Sequence, residues 1–471
     1  MLSRKIAYNT IISAGARIIG LALSLITIGF TSRYLGRVGF GYYATILAFL
    51  YFFTVLADLG LYSICLREIS RPKTDEKKIA SNIFTLRFFA GFFIFILAPL
   101  IVYLFPYPLE IKFGVLIGAL GFWMMSSQQV LIGVFQKHLQ MSRVALAELL
   151  GRLVQLGLII VAVSQDIGFL FIIIAMVVGS LVNFLLVFLF SRKYIPISFQ
   201  FDFLFWGSVL KKSWPLALAA VFTLIYFRLD TIMLSLMKGP ADVGIYSLAY
   251  KFLESLLFFP AMFVGLVMPL LSKYAFSSRA RFIKISQKTT EVLLLFIVPL
   301  VIGTLFVSER VVVLIAGEQF ILSAGVLNML IIATGIIFLA LLFSNMIISL
   351  EKQKYLTYIY GFGAVINLSA NFIFIPRYSY YGAAATTVVT ELIVTILMVI
   401  VLYRAIEYFP SFTLIWKYII AGLTMGLFLF FLSGWPLFVL IILSIFIYFG
   451  LLWIIGGISA KEVLLLVRKD G

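Results

Sequence analysis

Charged side chains set inside long apolar runs are where chemistry can be read in this sequence. Arg17, Arg87 and Arg152 lie in three different runs, each about two turns in from the same end. A guanidinium in an apolar span is costly unless it faces a cavity, a partner or an anion, so three at one depth point to an anion-binding site. Two ordinary readings compete with it. Arginine can snorkel to the membrane interface, and Arg152 has Glu148 four residues before it, the spacing of a helical ion pair. Further along, Arg228 joins the candidate cargo-binding cations, with Asp230 two residues on. Lys251 and Glu254, three apart, neutralise each other most simply. Glu391 stands near the middle of its run with no local partner. A lone carboxylate at that depth is a candidate for binding a coupling proton or Na+, or for a structural pair with a neighbouring helix. Asp58 and Asp230 are further ion-coupling candidates, and Asp58 is also a candidate partner for one of the arginines.

The elements that must position these groups follow from composition. Hydrophobic residues make up 63% and charged residues 12% of the 471 residues, against roughly 45–50% and 25% in soluble domains. The chain reads as an all-α polytopic membrane protein. Apolar runs long enough to span fall near 10–31, 42–66, 81–105, 111–133, 144–164 and 168–190, then 214–236, 244–270, 289–307, 323–349, 356–375 and 381–403, with a final pair near 415–433 and 436–456. That is about 14 transmembrane helices. The first run holds Arg17 and lacks a small-residue cleavage site, so it reads as a span and not as a signal peptide.

Loop charges orient the spans. Lys and Arg on the side of the termini and of the Arg67 to Lys78 loop outnumber those on the other side roughly four to one, which marks that side as cytoplasmic. The net charge of +17 is then mostly a topology signal. Because the basic residues are dispersed over short segments, no nucleic-acid partner is expected. One cysteine, Cys65, leaves no internal disulfide, and with the single histidine it offers no zinc set, so no metal or cofactor is expected. No G-x-x-x-x-G-K-[ST] loop is present, which argues against direct nucleotide coupling. The outer loops are too short for a catalytic domain. Transport, with no enzyme activity, is the reading that remains.

A phrase recurs. Gly41-Tyr42-Tyr43 at the start of the second span is matched by Gly244-Ile245-Tyr246 at the start of the eighth, Gly168 by Gly382, and the turn Gln136-Lys137-His138 by Leu350-Glu351-Lys352. Six spans per copy is an even number, so the copies must be parallel repeats about an axis along the membrane normal, with a cleft between them. The organisation expected is a six-helix lobe over 1–190, a cytoplasmic linker over 191–213 lying along the interface through Phe199, Phe201, Phe203, Phe205 and Trp206, a second lobe over 214–404, and an extra helix pair with a basic tail over 405–471. Pro215, Pro260, Pro269 and Pro299 should bend their helices, and Asn367 with Asn371 puts two amides on one helix face.

The pattern R-x-L-G-x-x-G-x-G-x-Y followed by A-D-L-G-L and a basic loop, here Arg33 to Leu61 and Arg67 to Arg71, resembles the polysaccharide transporter or O-antigen flippase family. That family belongs to the multidrug, oligosaccharidyl-lipid and polysaccharide exporter superfamily. Lys211 to Pro215, Gly244 to Pro269 and Asn367 to Ala384 are similar to the same family. The resemblance implies alternating-access export of an undecaprenyl-diphosphate-linked oligosaccharide across a bacterial inner membrane for surface polysaccharide synthesis. It implies that Arg17 is among the cations meeting the diphosphate. Membrane lipids are the expected surroundings. A lipid II flippase or a multidrug exporter of the same superfamily is the alternative, and fourteen spans resemble the lipid II branch.

Overall fold

A single backbone reversal makes two rods out of the first long helix. In the computed structural model, which describes residues 2–58, 60–71 and 74–457 and side chains there except at 2–14 and 214–227, helix α1 (Leu2–Asp58) is broken at Gly36, φ 65° and ψ −178°. Only glycine adopts that conformation cheaply, so the gap expected between the first two spans is a hinge of one residue. Helix α2 (Leu61–Ile69) follows after Gly60, at φ 72°. Then come α3 (Glu76–Val102), α4 (Leu109–Lys137), α5 (Met141–Ser164), α6 (Phe169–Ser191), α7 (Phe203–Met237), α8 (Pro240–Leu256), α9 (Phe258–Tyr274), α10 (Arg279–Ala316), α11 (Leu322–Ser349), α12 (Gln353–Ile406), α13 (Ile415–Phe431) and α14 (Leu437–Ile454). Helix α12 is likewise two rods, hinged at Ser379 with φ 51°.

Dividing α1 and α12 at their hinges, and joining α1's second limb to α2 and α8 to α9, recovers the fourteen expected spans. Among the described residues, ten helices are long and apolar enough to cross a membrane, and α13 is a shorter apolar one. The breaks inside spans have local causes. Gly60 is left-handed where α1 gives way to α2, and Pro260 has no N–H for the Leu256 carbonyl, where α8 stops. No strand occurs among the described residues.

The chain divides into two compact units, Met1–Ser247 and Leu248–Gly471. In the first, one core joins α1, α3, α4 and α6 through Ile46, Phe95, Val115 and Ile173, and another joins α2, α3 and α4 through Cys65, Phe84 and Val134. In the second, α13 and α14 pack on α10 through Val298, Met425 and Tyr448. Arg310 of α10 donates to the Ser433 and Trp435 carbonyls, both at 2.7 Å, tying down the turn between the last pair.

Local geometry repeats where the sequence does. At the α4 to α5 turn, His138, Leu139 and Gln140 donate to Val134, Gln136 and Phe135, with Leu139 at φ 54°. At the α11 to α12 turn, Leu350, Glu351 and Lys352 donate to Met346, Ile348 and Ile347, with Glu351 at φ 57°. The bonding pattern is the same, and it pairs Leu139 with Glu351, shifting the sequence match by two residues. Gly168 and Gly382 differ in what they do: Gly168, at φ 110°, precedes α6 in open space, whereas Gly382 sits against the Phe374 carbonyl.

The linker is shorter than expected, because α7 begins at Phe203 and not at 214. Residues 195–202 form an extended strap laid along α3. The N–H groups of Ser198, Gln200 and Asp202 donate to Ser81, Thr85 and Asn82 at 3.2, 2.9 and 2.9 Å. Asn82 also donates to Gln200 at 3.0 Å. With alternate N–H groups turned to α3, Phe199 packs on Phe84, Phe88 and Phe89, and Phe201 on Phe89. Asp202 caps α7 by accepting from Phe205 N–H, and pairs with Lys78 at 3.1 Å. The Phe205 bond first, and Lys78 with it, hold the Asp202 carboxyl below its ordinary value. Its contribution is therefore present at neutral pH and fades only as pH falls through that lowered value.

Replacing Asn82 by alanine should release the strap. It leaves the Asp202 N–H without its acceptor and costs roughly 1–3 kcal/mol locally. Hydrogen exchange should speed up at 198–202 and stay unchanged in α5 and α6. Unaltered protection of the strap would refute the assignment.

Candidate functional site

Of the arginines inside the spans, Arg87 on α3 is held in a pair across helices. Its side chain is 1% exposed and its guanidinium bonds Asp58, at the end of α1. A second nitrogen reaches Ser126 of α4 at 3.4 Å, and Nε is buried with no hydrogen-bond partner among the described residues. The carboxylate side of the pair is the more open, at 31%. Asp58 sits where α1 ends, and Arg87 bonds it from the interior of α3's packing. A cation this enclosed depends on its partner for neutralisation.

Arg152 on α5 makes the helical pair that its spacing suggested, to Glu148 at 2.7 Å, and also donates to the Gly20 carbonyl of α1 at 3.1 Å. That bond brings it one turn from Arg17, which is exposed on α1. The three arginines thus have three situations: Arg87 enclosed, Arg152 spanning α5 to α1, and Arg17 on the surface of α1.

On α7, Arg228 lies over the Tyr51 ring at 4.5 Å, a cation–π contact within unit one. Asp230 is 3% exposed; it accepts from the Thr231 N–H at 2.7 Å and from the Tyr246 hydroxyl. Tyr246 belongs to the repeated phrase, so the aromatic ending of G-x-Y has a concrete task. Lys251 and Glu254 pair at 2.9 Å, as spacing required.

In the second unit Glu391 is 3% exposed on α12, in electrostatic contact with Tyr360 on the same helix's first limb. Asn371 donates to Asn367 at 2.9 Å, which places both amides together. The Asn371 Oδ1 and Thr386 Oγ1 atoms are buried without hydrogen-bond partners among the described residues. No cluster of three or more His, Cys, Asp or Glu able to hold a metal occurs among the described residues, and Cys65 is a buried free thiol.

Tyr246, Thr231, Tyr51, Ser126 and Tyr360 were not anticipated as partners. Tyr246 could have been, since its phrase is repeated. Ser81, Asn82 and Thr85, a polar face at helical spacing in an otherwise apolar segment, also carried a readable signal.

Long apolar helices with charges held between them define a multi-pass membrane protein. The polysaccharide biosynthesis protein family model matches residues 6–275, and the MatE model matches 215–373. The chain belongs to the polysaccharide biosynthesis protein family, the polysaccharide transporters and flippases of the multidrug, oligosaccharidyl-lipid and polysaccharide exporter superfamily. A Shigella dysenteriae protein described as an O-antigen transporter is 25% identical over 193 residues, 40% of this chain and 47% of that one. The chain thus spans about half the length of that curated relative. Among solved structures, the lipid II flippase MurJ in an inward closed conformation is similar at TM-score 0.78 and 16% identity, over 97% of this chain and 100% of that one. An inward-facing multidrug resistance MATE transporter is similar at TM-score 0.66 and 13% identity, over 84% and 99%. These two likenesses establish the fold.

Proposed function

We propose that the chain moves an undecaprenyl-diphosphate-linked oligosaccharide outward across a bacterial inner membrane, by alternating access of its two six-span repeats, with both termini cytoplasmic. The family match over residues 6–275 carries this reading, and the partial likeness to an O-antigen transporter supports it. Energetics favour the direction. A diphosphate carries about two negative charges, and moving them out of an inside-negative cell yields roughly 2.3 kcal/mol per charge per 100 mV. Arg17, exposed on α1, is the cargo cation in this reading, with Arg152 anchored beside it and Arg228 contributing from α7. Arg87 is assigned to the Asp58 pair instead. Glu391, together with the unmatched oxygens of Asn371 and Thr386 on α12, is proposed to take the proton or Na+ that resets the empty carrier. Lipid II as cargo is the second reading, favoured by the 0.78 TM-score to its flippase.

Arg17 is the test. A guanidinium grips two phosphate oxygens at once, which an ammonium does less well. Arg17→Lys should keep part of the activity and Arg17→Ala should lose about ten-fold or more, both at normal membrane abundance. The measurement is complementation of strains lacking either an O-antigen flippase or a lipid II flippase. Rescue of the second strain alone would select lipid II; full activity of Arg17→Ala would remove the phosphate role.

A further inference from the structure

At the end of the first unit opposite its basic turns, the hinge of α1, the start of α4 and the α5 to α6 turn enclose an open cavity of about 410 Å³. Its volume falls in the roughly 300–1,000 Å³ range of small-molecule sites. Tyr34, Tyr42 and Phe169 supply aromatic wall, and Glu110 and Asp166 supply carboxylates. None of the intramembrane charges described above lines it. We propose that this cavity is a sugar-binding subsite on the exit side, selective for neutral or amino sugars over acidic ones. The proposal rests on the oligosaccharide-transport reading, since that reading brings sugar to this end of the protein.

The walls are set before a ligand arrives. The Tyr34 hydroxyl donates to Asp166 at 2.9 Å and accepts the Gly168 N–H at 2.8 Å, which fixes its ring at the mouth of α6. Tyr42 and Phe169 meet edge to face, centroids 6.2 Å apart, forming a half-buried corner. The C–H faces of a pyranose are weakly positive and pack against the negative face of such rings. Its hydroxyls then need acceptors. Asp166 spends one oxygen on Tyr34, and Glu110 makes no hydrogen bond or ion pair among the described residues. A glutamate in the first turn of α4 also suits the helix dipole. That accounts for Glu110 alone and not for three aromatic walls facing the same space.

Charge sets the selectivity. Arg33 and Arg37 occupy the same hinge region, yet neither lines the cavity. A uronic acid would meet two carboxylates with no cation among the lining residues, whereas a neutral or amino sugar would not. A hard divalent cation is poorly served, because Ca2+ takes 6–8 oxygen ligands and this lining is largely ring and aliphatic surface.

The experiment uses the full chain in lipid nanodiscs with N-acetylglucosamine, galactose, galacturonate and CaCl2 as probes, read by saturation-transfer NMR. The two neutral sugars should bind in the roughly millimolar range, with galacturonate at least ten-fold weaker. Tyr42→Ala should reduce sugar binding about ten-fold, and Glu110→Gln with Asp166→Asn should both weaken it and close the gap to galacturonate. Glu110→Gln alone, at an exposed position, keeps the fold and should narrow the gap. Absence of sugar binding, equal binding by the variants, or a response to CaCl2 only would overturn the site. The same nanodisc preparations, reconstituted into vesicles, separate the two readings. Transport of a lipid-linked oligosaccharide without sugar binding overturns the subsite alone. Sugar binding lost in the variants, in a chain that moves no such lipid, upholds the site and overturns the transport reading.

Discussion

Replacing Asp58 by alanine should remove most of the folded protein from the membrane. The reason lies in Arg87, whose side chain is 1% exposed and bonds that carboxylate. Removing one member of a buried pair leaves a charge without compensation, at a cost of about 3–5 kcal/mol. Total stability is typically only about 5–15 kcal/mol, so such a loss is visible as lost abundance. Asp58→Leu combined with Arg87→Met removes both charges and should return the protein to within about two-fold of its normal level, because isosteric apolar replacement of a buried pair is close to neutral. Abundance in membranes and the unfolding midpoint in detergent are the readouts, with export measured on the double variant. Normal abundance and midpoint for Asp58→Ala would show that Arg87 does not depend on the pair. A double variant that is abundant but exports nothing would return Arg87 to the cargo-handling role that its depth in the sequence suggested.

The Asp58–Arg87 pair separates what residues alone disclose from what only packing discloses. Apolar runs are one-dimensional signals, and they led to the helical segments, including the short α13. Helical pairs at fixed spacing, Glu148 with Arg152 and Lys251 with Glu254, were equally legible, because one helix carries both members. Partners on different helices were not. Nothing in the spacing of Asp58 and Arg87, 29 residues apart, says that they meet, and depth in a span does not distinguish a charge facing cargo from one facing a carboxylate. The hinges at Gly36 and Ser379 were expected as loops, since a run of turn-forming residues does not reveal how few the chain will use. The strap over α3 carries alternating aromatics, which point to the membrane interface. Its real register comes from Ser81, Asn82 and Thr85, which count only once the strap is known to be there.

Alanine at Gly41 or at Gly244 should destabilise the protein by nearly equal amounts, although the two lie about 200 residues apart. A Cβ built at Gly41 runs into the Pro240 carbonyl oxygen, and one at Gly244 runs into the Arg37 carbonyl oxygen. Pro240 stands four residues before Gly244 and Arg37 four residues before Gly41. The contact is therefore reciprocal: each glycine faces the carbonyl that lies one helical turn before the other. Both obstacles are backbone, so no side chain can swing away and the helices themselves must separate. Overpacking of this kind costs about 1–3 kcal/mol or more. Because either methyl group opens the same crossing, the double variant should cost less than the sum of the singles. Gly157→Ala in the middle of α5, where nothing lies within 4 Å of a new Cβ, provides the contrast and should be neutral or up to about 1 kcal/mol stabilising. Thermal unfolding of the four variants in detergent decides it: unequal single effects, or strict additivity, would mean that Gly41 and Gly244 do not share one crossing.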